Sequence, residues 1–134
     1  MKFARIVFLV AGIYGLVVVA PQYFLEAKIG RDTPPPITHP EFFYGFIGVT
    51  VAWQILFLVL SRDPVRYRPM MLVGIVEKIG FPIATAVLYA QNRVSLTIVA
   101  FASIDLVLGV LFLISYVKTS EPAKPADPCG DLNF

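Results

Sequence analysis

Long apolar runs, broken by short clusters of proline, charge and small polar residues, set the pattern of this chain. Four runs cover residues 3–23, 42–60, 70–90 and 95–117, each close to the ~20 apolar residues that an α-helix needs to cross a bilayer core of about 30 Å. The pattern therefore predicts an all-α protein, an integral membrane four-helix bundle. The first connection holds Pro34, Pro35, Pro36 and Pro40, which cannot continue a helix and favour extended, polyproline-like backbone. In the second, Ser61, Arg62, Asp63 and Pro64 precede Pro69, which suits the first turn of the next helix. The third is only a few residues around Gln91, Asn92 and Arg93, so the third and fourth helices form an antiparallel hairpin.

Charge at the helix ends sets the expected sidedness, because Lys and Arg near spans are retained in the cytoplasm. Lys2, Arg5, Arg62, Arg66, Arg68, Lys118 and Lys124 fall on one side, against Lys28, Arg31 and Arg93 on the other. Both termini and the second loop are thus expected inside, N-in/C-in, with the Pro-rich first loop external. Tyr23, Phe24, Phe42, Phe43 and Tyr44 at the outer ends fit an interfacial aromatic belt. Residues 1–118 are read as the helical domain. Residues 119–134, with Pro122, Pro125 and Pro128 among small and charged residues, are read as a disordered cytoplasmic tail.

Composition agrees with this picture and narrows the function classes. Hydrophobic residues make up 57% of the 134 residues and charged residues only 15%, outside the range of soluble domains. The net charge of +2, with cations at helix ends, gives no basic stripe for nucleic acid. Cys129 is the single cysteine, so no intrachain disulfide forms. Lys2 and Arg5 ahead of the first run resemble the start of a signal peptide, but Pro21 would directly follow the cut, and a retained helix is expected. The chain is placed in the cell membrane, plasma or inner, as a multi-pass protein.

Lipid supplies no hydrophobic drive between helices, so packing must come from small residues. Gly12, Gly15, Gly45, Gly48, Ala52, Gly74, Gly80 and Gly109 are the candidate contact points, with Gly48 and Ala52 in small-xxx-small spacing. Ionisable residues within spans are costly unless they are paired or face the interior. Glu77, Lys78 and Asp105 are three such residues. Glu77 and Lys78 lie roughly 12 to 14 Å from the inner end of the third helix, and Asp105 roughly 18 Å from the same side, at 1.5 Å rise per residue. A lysine side chain bridges that difference, which predicts a Lys78–Asp105 ion pair.

Gln54, beside Trp53, and Tyr14 stand at similar depth, so Tyr14, Gln54, Glu77, Lys78 and Asp105 form the candidate intramembrane polar site. Pro82 adds to it by leaving the Lys78 carbonyl without its helical donor. Glu77 lies about 100° from Lys78 around the helix, so the two are expected to point apart, with Glu77 the neutral or exchangeable acid. This layer reads either as interhelical polar glue or as a site for a small lipophilic ligand. Proton-coupled transport through Glu77 is a further alternative.

Elsewhere the candidates are slight. His39 and Glu41 are too few for a closed metal site, and the basic string from Arg62 to Arg68 reads as topology anchoring against anionic lipid. No Gly-rich phosphate loop, CxxC pair, HExxH helix or GxSxG elbow occurs, and the spans lack haem or iron–sulfur ligands. No catalytic residue, cofactor or metal is assigned, and enzymatic activity is not expected.

Phe43-Tyr44-Gly45, Trp53-Gln54, Arg62-Asp63-Pro64, Glu77-Lys78-Ile79-Gly80-Phe81 and Asp105-Leu106-Val107-Leu108-Gly109 together resemble small bacterial four-helix membrane proteins. In size and helix count, over residues 1–118, the chain is similar to the DoxX-like group. That resemblance implies association with a larger membrane complex, in places respiratory or quinone-linked, and transfers no site residue. Small multidrug transporters also have four helices, but they carry a glutamate in the first, where this chain has no acid. The expected role is a binding or accessory membrane component whose partners are the lipid bilayer and either a small lipophilic ligand or a larger complex.

Overall fold

The computed structural model describes residues 2–119. Within them the chain is helical and contains no strand: α1 (Lys2–Val19), a 3-10 segment (Ala20–Phe24), α2 (Glu26–Asp32), α3 (Pro40–Arg62), α4 (Arg68–Ala90) and α5 (Leu96–Lys118). Four are long and apolar enough to cross a membrane, namely α1 with its 3-10 extension, α3, α4 and α5, each 23 residues long. At 1.5 Å per residue that is about 34 Å, enough for a bilayer core. The spans expected from the sequence coincide with these helices to within two residues at every boundary. The expected tail beyond residue 119, with Cys129 and Lys124, lies outside the described residues.

Most of the apolar surface faces outward. Phe42 (71%), Val76 (70%), Leu96 (70%) and Val117 (72%) are largely exposed, and no span has more than 39% of its apolar window buried within the chain. In water such exposure would forgo about 25 cal/mol per Å², whereas hydrocarbon solvates it without loss.

The helix ends follow local chemistry. Pro21 cannot donate to the carbonyl of Val17, and the backbone tightens there into 3-10 geometry. The Gln22 side chain then donates to the Val18 carbonyl at 3.2 Å. Between α3 and α4, Asp63 Oδ1 accepts the Arg66 backbone N–H at 3.1 Å, and Pro69 occupies the first turn of α4. Asn92 ends α4 in the left-handed region, φ 55°, which asparagine tolerates better than most side chains. The amide of Arg93 reaches back to the Leu88 carbonyl at 2.9 Å.

One element departs from expectation. The first connection is not extended throughout, because residues 26–32 form α2. Its prolines begin only at residue 34, leaving the preceding segment free to close two helical turns. Glu26 in the first turn and Arg31 in the last oppose the helix dipole correctly, and Lys28 pairs with Asp32 one turn on. Tyr44 of α3 fastens the helix by donating its hydroxyl to Glu26 Oε2 at 2.6 Å.

Two antiparallel pairs, α1 with α3 and α4 with α5, make the most extensive contacts; α1 and α5 join the pairs, and α3 meets α4 over a shorter stretch. Where the elements converge, Phe8, Phe57 and Phe112 form a fully buried cluster. The Phe8–Phe112 and Phe57–Phe112 centroids are 4.2 and 4.9 Å apart. Glycines permit this approach unevenly. A Cβ at Gly12 would come within 2.7 Å of Leu58 Cδ2, and one at Gly15 within 2.1 Å of Gln54 Oε1. Gly74 abuts Phe57 and Phe112, and Gly109 abuts Lys78. By contrast Gly45 and Gly80, also expected at contacts, have nothing within 4 Å, and Ala52 is exposed. Ala11 and Gly15, which share the small-xxx-small spacing, are the buried pair.

Candidate functional site

Lys78 lies near the middle of α4, on the buried face that also carries Met71, Gly74 and Thr85. It is 4% exposed. Its position follows from helix periodicity: residues 71, 74, 78 and 85 recur at three-, four- and seven-residue intervals and share one side of the cylinder. Gly109 of α5 faces the Lys78 Cβ, and its lack of a side chain lets α5 close on the lysine stem. Asp105, one turn before Gly109, then meets the ammonium: Lys78 Nζ donates to Asp105 Oδ1 at 3.1 Å. The ion pair expected between the third and fourth spans is therefore present.

Glu77 corrects an expectation. Although its Cα direction departs by about 100° from that of Lys78, the two flexible side chains curl together, and Glu77 Oε2 lies 3.3 Å from Lys78 Nζ. The contact is electrostatic only, since this buried oxygen falls outside hydrogen-bond geometry with any described residue. Lys78 thus sits between two carboxylates, one hydrogen-bonded and one merely adjacent. Their side chains are each about a fifth exposed, against 5% for the lysine.

Phe57 supplies a fourth contact that sequence reasoning missed. Lys78 Nζ stands 5.4 Å from the centre of its ring, within cation–π range. The signal for it was weak, because which of the many phenylalanines faces the lysine depends on the rotation of α3.

The remaining two predicted residues are placed differently. Tyr14, half-buried on α1, packs against the core cluster that holds Phe57 and Phe112. Gln54 is 1% exposed but lies in the α1–α3 interface, its amide pressed against Gly15. Its Oε1 finds no hydrogen-bond partner among the described residues. The expected layer is therefore an ionic triad of Glu77, Lys78 and Asp105 beside Phe57, with Tyr14 on the adjoining core and Gln54 turned to the α1–α3 contact.

Taken as ionised, the triad holds one cation and two anions. A buried carboxylate without a full counter-charge is unfavourable, and a proton, a cation or a hydrogen-bond donor relieves it. At the opposite end of α3, His39 Nδ1 lies 3.2 Å from Glu41 Oε1, both well exposed. Among the described residues no three His, Cys, Asp or Glu side chains gather as a metal site would require.

In class, then, the described residues are all-helical, with four helices fit to cross a membrane and a charged centre between them. No protein-family model matches it, and neither a curated protein nor a solved structure shows significant similarity.

Proposed function

We propose that this chain is a multi-pass protein of the cell membrane, both termini cytoplasmic and the Pro-rich loop external, acting as a binding or accessory component. In this reading the ionic triad receives a small lipophilic molecule from the bilayer. The observation that carries it is Lys78, buried between two carboxylates of which it can neutralise only one. Pure interhelical glue needs one acid for one base. The second acid is an added cost in hydrocarbon, and a ligand at the same centre gives it a use.

The test is native mass spectrometry of the full chain extracted from its own membranes in mild detergent, beside a variant carrying Glu77→Gln, Lys78→Met and Asp105→Leu together. That triple change removes every charge of the centre and leaves no unpaired partner. A lipophilic molecule retained by the wild type and lost from the folded triple variant is the expected result. Identical bound species in both overturn the binding reading. Co-purification of a larger complex in place of a small molecule assigns the accessory role.

Proton-coupled transport through Glu77 is the second reading, favoured by the one buried carboxylate oxygen that lacks a hydrogen bond. Under it, Glu77→Gln abolishes proton movement in reconstituted vesicles while the protein stays folded.

A further inference from the structure

One flank of the triad is covered by α5. On α4, Ile79 packs towards Gly109 of α5, so the flank of α4 beyond Ile79 is closed. Glu77 occupies the opposite flank, some 200° from Ile79. Gly74, which shares that side, touches Phe57 of α3 at 3.2 Å from its would-be Cβ. The Glu77 flank therefore looks into the seam between α3 and α4, the neighbouring pair with the shorter contact.

Counted from the Gly74–Phe57 contact, antiparallel register sets Trp53 of α3 at the depth of Glu77. It lies one turn from Phe57 on α3, as Lys78 lies one turn from Gly74 on α4, and the two helices run antiparallel. Trp53 is half-buried and packs on Phe57 with centroids 6.1 Å apart. Above and below Glu77 on its own helix face, Val73 (43% exposed) and Phe81 (41%) present apolar surface outward. The seam thus combines an apolar, outward-facing approach with a carboxylate at its end. That carboxylate keeps Oε2 buried beside Lys78 Nζ while its side chain remains about a fifth exposed, in a triad of net charge −1 by formal count.

We propose that the α3–α4 seam is a lateral binding site for a lipophilic primary ammonium, an alkyl or aryl chain ending in –NH3+. The chain lies along Val73 and Phe81, and the ammonium donates a hydrogen bond to the Glu77 carboxylate from the side away from Lys78 and balances the second carboxylate. Chemistry selects this head group over others. An anionic head meets two carboxylates and a lysine already engaged by one of them. A neutral hydroxyl gives the hydrogen bond but leaves the charge, and a quaternary ammonium gives the charge but no donor. This assignment rests on the binding reading above and specifies its ligand class and its path.

The sole tryptophan of the chain provides the readout. The full chain in lipid nanodiscs is titrated with a bromine-labelled long-chain primary alkylamine, whose bromines quench Trp53 on contact. Saturable quenching is expected, weaker with the trimethylammonium analogue and absent with the fatty acid of equal length. Glu77→Gln, nearly isosteric and checked for folding by circular dichroism, should weaken amine affinity about tenfold or more, the loss of one charge-assisted hydrogen bond. Quenching that rises linearly without saturation, or is unchanged by Glu77→Gln, overturns the seam proposal. So does equal affinity for the primary and trimethylated amines. Any of these failures, alongside a lipophile that still co-purifies with the wild type and leaves the triple variant, removes the amine site and keeps the broader binding reading.

Discussion

Lys78 is the side chain on which the interior depends most heavily. It places a full charge near the middle of a 23-residue apolar helix, where an unpaired ammonium costs at least about 2.5 kcal/mol, and it meets that cost with Asp105, Glu77 and the face of Phe57. The pairing was legible in the sequence because helical rise fixes the depth of each residue and the short loop at residues 91–93 makes α4 and α5 neighbours. The partners of Gln54 and the choice of Phe57 were not legible, since both depend on how far α3 is rotated about its axis. Glycine roles divide in the same way: Gly15 and Gly80 look alike in sequence, yet one is filled by Gln54 and the other is open. Gly15→Ala should therefore cost about 1–3 kcal/mol through overpacking, read as a lowered Tm in detergent. Most of that loss should vanish in a Gln54→Ala background, and Gly80→Ala should stay within about 0.5 kcal/mol of wild type.

Among the elements, the four long helices could be read from the apolar runs, because length and lack of charge are decided within each run. The short helix α2 could not. Its seven residues are too few to be stable alone, and it persists through contacts outside itself, chiefly the Tyr44 hydroxyl on Glu26 Oε2 at 2.6 Å. Tyr44→Phe removes that bond and leaves the ring in place beside Tyr23, with which it stacks at 6.1 Å. Hydrogen exchange at residues 26–32 should then accelerate roughly five- to tenfold, as expected for about 1 kcal/mol of lost tethering, while the four long helices stay unchanged. Equal exchange in wild type and variant would show that α2 is held by other means.

For the whole molecule, an outward apolar surface and an inward charged centre are two sides of one solution to the membrane environment. Lipid solvates Phe42, Val76 and Leu96 without cost but cannot solvate Lys78, so the helices turn their few charges towards one another. At one end of the bundle cations rest over aromatic rings, Arg68 over Tyr116 at 4.0 Å and Lys118 over Phe3 at 5.1 Å, where long basic side chains reach towards a headgroup layer. The proposed cytoplasmic placement of that end rests on the same Lys and Arg asymmetry that the sequence displays.

The central claim is that Lys78 and Asp105 stabilise the bundle as a pair buried between α4 and α5. A double-mutant cycle on the purified full chain tests it most directly, with thermal or denaturant unfolding of wild type, Lys78→Met, Asp105→Leu and the combined variant. The account predicts a loss of about 3 kcal/mol for Lys78→Met, which strands two carboxylates, and recovery of much of it in the combined variant. Asp105→Leu should cost less, because Glu77 remains beside the lysine. Unchanged stability in Lys78→Met, or losses that simply add in the combined variant, would contradict the account.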